Sequence, residues 1–312
     1  MNDIKNQLQE IREFISMPLM ELIALADKTR QQFCGPNLDI CSIINAKSGV
    51  CSENCKFCAQ SSHYPTQTPS YPLLSEQEIF DAALKAKEIG AKRFGIVASG
   101  HSADAHEIDQ ICRMISKIKS ETQLEVCASL GILSQEELTR LHQAGLSRFH
   151  HNIETSPSFY PQICTTHDFA DRIKTIHYAR QAGLEVCCGG ILGLGESWQE
   201  RIEMVLTLKD LEVTSVPLNI LMPIPGTPLA SSLSISPFEI VRTIAIFRIV
   251  LKYPVIKIAA GRETSFKDFQ GLGFIAGANG LITGGYLTTK GRQVEDDQKL
   301  VESLKNYWTL NQ

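Results

Sequence analysis

Residues 75–98, SEQEIFDAALKAKEIGAKRFGIVA, run from a helix into a strand through a single glycine. Ser75 and Glu78 form a capping-box pair, in which each side chain satisfies a backbone N–H of the first helical turn. The helix then spans 76–89. Gly90 stands where a left-handed C-cap is wanted, and Arg93–Ala98 follows as a strand. The junction recurs as a weak internal repeat: Glu88-Ile89-Gly90-Ala91, Gln143-Ala144-Gly145-Leu146 and Gln181-Ala182-Gly183-Leu184. Ser134 with Glu137 is a second capping box. Pro237 after Ser236 puts proline at a first helical position.

Apolar runs and helical patterns alternate about every thirty residues on either side of this unit, as βα units do. Strands are expected at Asp39–Asn45, Arg93–Ala98, Glu125–Ser129, Ser147–Ile153, Glu185–Cys188, Ser215–Leu221, Val255–Ala259 and Gly280–Gly284. Helices are expected at 76–89, 104–119, 135–144, 168–182, 198–210, 237–251, near 266–270 and from 295. Such a series with no low-complexity linker predicts an α/β chain folded as one (β/α)8 TIM-type barrel, its active-site loops at the C-terminal strand ends. An open parallel sheet is the alternative. Residues 3–35 read as amphipathic helix, with Ile4, Leu8, Ile11 and Ile15 at apolar positions. The expected division is a helical extension over 1–36, the barrel over 37–290, and a C-terminal helix packed on the barrel over 291–312.

Length alone, 312 residues, suggests roughly two domains, but a barrel of about 250 residues with extensions fits equally well. Hydrophobic residues make up 43% and charged residues 21%, a soluble globular balance. The net charge of −4 and the lack of a basic tract disfavour a nucleic-acid partner. The N-terminus has no apolar h-region, and no run reaches the roughly 18 apolar residues of a membrane span. The expected location is cytoplasmic, with no membrane partner. In a reducing compartment the ten cysteines read as metal ligands rather than as a disulfide framework.

Three of them, Cys51, Cys55 and Cys58, have C-x3-C-x2-C spacing in the loop after the first strand. A [4Fe–4S] cluster normally takes four thiolates. Three leave one iron open to chelate the amino and carboxylate groups of S-adenosylmethionine (SAM). The alternative is structural zinc with His63 as fourth ligand, although such sites usually pair two close cysteine pairs, and no second close pair is present.

The residues around the triad, Ala46 through Ser62, resemble the cluster loop of the biotin synthases of the radical SAM superfamily. Five further segments match in order: Leu124–Gly131, His151–Ser156, Val186–Glu196, Val216–Asn219 with Pro225–Pro228, and Ala260–Glu263. The resemblance covers roughly residues 10–305 and is specific as a set. It implies conversion of dethiobiotin to biotin. A reduced cluster cleaves SAM, the 5′-deoxyadenosyl radical takes hydrogen from two saturated carbons, and an auxiliary iron–sulfur cluster supplies the sulfur. It also implies a flavodoxin- or ferredoxin-type electron donor and a homodimer.

By the same resemblance, Cys127, Cys187 and Arg262 match auxiliary-cluster ligands. Gly95 occupies a position where relatives carry a third cysteine, and glycine cannot ligate. Cys41, on the first strand, is expected to take over, for a [2Fe–2S] or larger cluster. Cys34 and Cys164 are lesser candidates, while Cys112 and Cys188 read as packing. Phe57, Asn152, Glu154, Arg172 and Ile191 match SAM-contacting positions, Ile191 within the run Gly189–Glu196. Asn152 and Asn219 match substrate positions, where amides would pair with a ureido ring. If the strand faces carrying Cys41, Cys127 and Cys187 point inward, the barrel is unusually polar, and such groups need partners. No side chain is expected to act as acid or base, since radical hydrogen abstraction needs no imidazole. One of His150 and His151 is expected to face outward, and His101 and His106 read as loop residues. The rival readings are another radical SAM enzyme of hydrogenase-maturase or mutase type and a non-catalytic zinc or iron–sulfur protein. Lipoyl synthase is disfavoured, since residues 1–33 hold no cysteine group.

Overall fold

Strand β1 (Asp39–Lys47) is flanked in parallel by β2 (Arg93–Ala98) and β9 (Gly280–Ile282). The computed structural model describes residue 9, residues 11–288 and residues 291–310. From β2 the ladder passes through β3 (Glu125–Ser129), β4 (Arg148–His150) and β5 (Glu185–Cys187). From β9 it passes through β8 (Val255–Ile258), β7 (Ser215–Ile220) and β6 (Gly190–Leu192). A β5–β7 pairing closes the ring. Segments β5 and β6 are two halves of one broken strand, so the sheet is an eight-stranded parallel barrel as expected.

The break has a local cause. Pro217, on β7, has no N–H to give to the ladder. The ladder to β7 reaches Cys188 N, which donates to Ser215 O, and on the β4 side the Gly189 carbonyl accepts from Ile153 and Glu154. A Cβ on Gly189 would lie 2.0 Å from the Pro217 carbonyl oxygen. Only glycine lets the two backbones close the barrel here.

The helices are α1 (Leu19–Cys34), α2 (Glu76–Glu88), α3 (Ala105–Thr122), α4 (Gln135–Gln143), α5 (Phe169–Gln181), α6 (Trp198–Asp210), α7 (Pro237–Leu251), α8 (Arg262–Ser265), α9 (Gln270–Ile275) and α10 (Val294–Leu310). The capping boxes at Ser75 and Ser134 form as expected, and Gly90, Gly145 and Gly183 all have positive φ. Outward strand residues, among them Phe94, Ile96, Val126, Phe149, Val216, Ile256 and Leu281, are buried in the main core with the inner faces of the helices.

The expected single helix over 3–35 is interrupted. Residues 1–8 and 10, including Ile4 and Leu8, lie outside the described residues. Within them, the chain leaves the helix at Met17 and α1 restarts after Pro18, whose ψ is 131°. Proline disfavours helical conformation in the residue before it. The carbonyls of Phe14 and Met17 are taken up by the Arg242 guanidinium at 3.0 and 2.7 Å. Helix α10 buries Val301, Leu304 and Trp308. The Arg30 guanidinium of α1 stacks 4.2 Å from the Trp308 ring centroid, so the two terminal helices meet.

Replacing Gly189 with Ala should lower the urea midpoint by the equivalent of about 3 kcal/mol or more, because backbone must move to admit the methyl. A Cβ at Gly271 on α9 meets nothing within 4 Å, so Gly271→Ala should be neutral or stabilising by up to about 1 kcal/mol.

Candidate active site

Strand alternation turns the odd positions of β1, β2 and β3 into the barrel, and their lowest layer is ionic. Asp39 Oδ1 lies 2.9 Å from Lys257 Nζ, and Asp39 Oδ2 lies 3.1 Å from Arg93 Nε. Arg148 Nη2 pairs with Glu185 Oε2 at 2.6 Å, and Arg93 also pairs with Glu125. Burial alone would raise the Asp39 carboxyl, but Lys257, Arg148 and Arg93 together hold it well below the usual range.

The cysteines sit against this layer. Cys41, Cys127 and Cys187 are all buried. Cys127 stands opposite Gly95 on one side and Arg148 on the other. Lys257 Nζ donates to Cys41 Sγ at 2.6 Å. Burial pushes the Cys127 thiol up to about 11, opposed by Arg148 and Lys257. At Gly95 an added Cβ would touch Ile43 Cγ2 at 3.0 Å, so the methyl of Ile43 takes the room a cysteine would use. Arg148 Nη1 and His150 Nε2 are buried without a hydrogen-bond partner. Three thiols beside cations and open donors fit an anionic iron–sulfur group.

Arg262 has a different place from the one expected. It starts α8, past Gly261, and its guanidinium is fully committed. Its partners are Gln270 Oε1 at 2.7 Å, Asp297 Oδ2 at 2.6 Å, the Ile282 carbonyl at 3.2 Å and the Tyr286 hydroxyl at 3.0 Å. It ties α8 to α10, and the cations beside the cysteines are Lys257 and Arg148. Strand parity gives the reason: Lys257 points inward between the core residues Ile256 and Ile258.

At the C-terminal mouth, Cys51, Cys55 and Cys58 line a cavity of about 300 Å³ with Phe57, Asn152, Glu154, Arg172 and Asn219. The cysteine loop is held by backbone bonds from Cys51 N to Gln60 O and from Ser62 N to Cys51 O. His63 Nε2 sits 2.9 Å from the Ser52 carbonyl. Phe57 packs with Phe159, Ile163, Ile191, Leu194 and Leu221, an apolar patch beside the cysteine loop. The three thiols and this patch fit a cluster with a bound nucleoside.

Asn152, Glu154 and Arg172 form one network. Arg172 Nη1 donates to the Asn152 carbonyl at 2.8 Å and lies 3.8 Å from Glu154 Oε1. The Asn152 side chain bridges to Glu154 Oε2 at 3.4 Å and to Gly189 N at 3.1 Å. Glu154 has φ of +65°, a conformation costly for a side-chain-bearing residue and typical of functional sites. Burial raises its carboxyl, against the pull of Arg172. Asn219 accepts from Ala260 N at 3.2 Å.

Contrary to expectation, both His150 and His151 line the cavity. His150 is held neutral at about 3, first by burial and then by Lys257 and Arg148. Cys188 and Cys112 pack in or against the main core, and Cys34 lies away from the site against the Lys252 carbonyl. Lys257, Arg148 and Asp39 were missed in the sequence. The available signal was a charged residue alternating with apolar ones in Val255–Ile258 and in Arg148–His150.

Residues 46–208 match the Radical SAM superfamily, and residues 217–306 match the Biotin and Thiamin Synthesis associated domain. The seam between them falls inside the barrel, between α6 and β7. A biotin synthase of Thermotoga petrophila is 52% identical over 95% of this chain and 98% of its own length. One from Thermotoga neapolitana is 56% identical over 86% of this chain and 96% of its own. Among solved structures, methylornithine synthase superposes with a TM-score of 0.82 at 19% identity, covering 95% of this chain and 92% of that one. The hydrogenase maturase HydG from Carboxydothermus hydrogenoformans gives 0.77 at 17% identity, covering 97% and 79%. At those low identities the two solved structures speak for the barrel alone. The identity to the Thermotoga proteins, sustained over nearly the whole of both chains, decides the rest: this chain belongs to the biotin synthases of the radical SAM superfamily.

Proposed function

We propose that this chain converts dethiobiotin to biotin with Cys51, Cys55 and Cys58 holding a [4Fe–4S] cluster at the barrel mouth and Cys127, Cys187 and Cys41 holding the auxiliary cluster at its floor. When bound, these groups with SAM supply the electron, the 5′-deoxyadenosyl radical and the sulfur. The observation that carries the reading is the placement of two cysteine sets at opposite ends of one barrel, with amides between them.

The protein's share is positioning and the exclusion of water. Phe57 and Ile191 clasp the adenine of SAM, while Asn152, Glu154 and Arg172 hold its ribose and methionine parts. Asn152 and Asn219 face the ureido ring of the substrate. Lys257 and Arg148 balance the negative charge of the auxiliary group, with Cys41 in the place that Gly95 leaves unfilled. Arg262 acts through the packing of α10. Residues 1–36 and 291–312 serve as extensions that brace the barrel, and the chain works as a cytoplasmic homodimer fed by a flavodoxin- or ferredoxin-type donor. Among the described residues no helix is long and apolar enough to cross a membrane.

Anaerobically reconstituted protein given SAM, reductant and dethiobiotin should form biotin and 5′-deoxyadenosine, read by mass spectrometry. Cys127→Ala should keep deoxyadenosine and lose biotin. Deoxyadenosine without biotin from the unaltered chain would move the substrate assignment to another radical SAM reaction. Cys41→Ser should lower auxiliary iron after reconstitution, and unchanged iron would remove Cys41 from the ligand set. Arg262→Met should leave auxiliary iron intact but cost about 3–5 kcal/mol of stability, since it strands buried Asp297. Loss of auxiliary iron in a folded Arg262→Met protein would restore Arg262 as a ligand.

A further inference from the structure

Three side chains that the proposed reaction does not use gather beside Cys55. Cys164 Sγ lies 3.7 Å from Cys55 Sγ and 3.3 Å from His167 Nδ1. The same Nδ1 lies 2.5 Å from Glu53 Oε2. The ligand atoms of Cys55, Cys164 and His167 all fall within 4.8 Å of one another, and all three residues are buried. Tetrahedral zinc with Zn–S bonds of about 2.3 Å sets its sulfurs about 3.8 Å apart, so the two thiols already stand at coordination spacing. The outer contacts are those of a ligating histidine, whose second nitrogen is normally held by a neighbouring polar group. His167 Nε2 lies 2.8 Å from the Tyr160 hydroxyl, which also accepts from Arg172 Nε at 2.5 Å. That oxygen has two lone pairs and can accept from both N–H groups, which leaves Nδ1 its lone pair. Glu53 Oε1 is steadied by His101 Nδ1 at 2.9 Å.

We propose that the cluster-free chain binds one divalent cation of the zinc and iron(II) class through Cys55, Cys164 and His167, with the Glu53 carboxylate beside it and solvent completing the coordination. Two protons leave to solvent as the thiolates and the His167 Nδ1 lone pair take up the cation, and no electron moves. The site rests on the assignment above only in that Cys55 serves both centres, so the cation and the [4Fe–4S] cluster exclude one another. While the cation is held, it ties the cysteine loop to the segment 164–167.

The test titrates metal-free, cluster-free protein with Co²⁺ under anaerobic conditions. One equivalent should give thiolate-to-cobalt charge-transfer absorption and the intense visible bands of a tetrahedral ion. Cys164→Ser and His167→Gln should each weaken cobalt binding by about tenfold or more. Cys58→Ser keeps all three protein ligands and should bind cobalt unchanged. A spectrum that survives Cys164→Ser and His167→Gln, or that Cys58→Ser abolishes equally, would place the ion in the triad and overturn the proposal. If Cys164→Ser does not fold, His167→Gln carries the same test. Reconstitution of the four-iron cluster, which should need Cys58 and not Cys164, is read separately. Failure of the cobalt test with reconstitution intact sinks the cation site alone.

Discussion

Lys257, Arg93 and Arg148 converge on the Asp39 carboxylate at the bottom of the barrel. An ionised group in a dry interior is tolerated only when it is paired. Here Asp39, Glu125 and Glu185 face Arg93, Arg148 and Lys257, so the layer balances its own charge beneath the cysteines. Burial favours the protonated state at both Cys41 and Cys127. Ionising these thiols would add negative charge that the layer does not already balance, and bound iron would supply the missing positive charge. Such a polar floor suits the metal–sulfur group proposed for it, where most barrels fill the same space with branched aliphatic residues.

The upper half of the barrel depends on a second constraint, the strand broken at Gly189. Pro217 withholds a rung on the β7 side of this strand, while on the β4 side the Gly189 carbonyl accepts from Ile153 and Glu154. Those contacts fix Glu154 at positive φ and bring Asn152 to Gly189 N. The segment that follows β4, anchored on Gly189, thus places an amide and a carboxylate with Arg172 around one cavity.

The barrel was legible because helix caps, junction glycines and strand spacing all repeat along the sequence, and each of the eight expected strands has its counterpart. The triad was legible because its three cysteines are sequence neighbours. Arg262 misled because it follows β8 so closely that it reads as the end of the strand. Gly261, at φ +86°, turns the chain into α8 before Arg262 begins. The inward cation of that strand is Lys257, which parity identifies. The group at Cys164 was beyond sequence reading, since Cys55 and Cys164 stand 109 positions apart and meet through irregular loops. The interruption at Pro18 could have been read, because proline cannot continue a helix.

The claim that the floor is a metal–sulfur site independent of the mouth is tested most directly by removing the mouth. A Cys51→Ala, Cys55→Ala, Cys58→Ala triple variant, reconstituted anaerobically with iron and sulfide, should still bind iron and show the Mössbauer signature of a bridged cluster. That signal should vanish when Cys127→Ala and Cys187→Ala are added. A triple variant that folds but takes up no iron or sulfide would contradict the account.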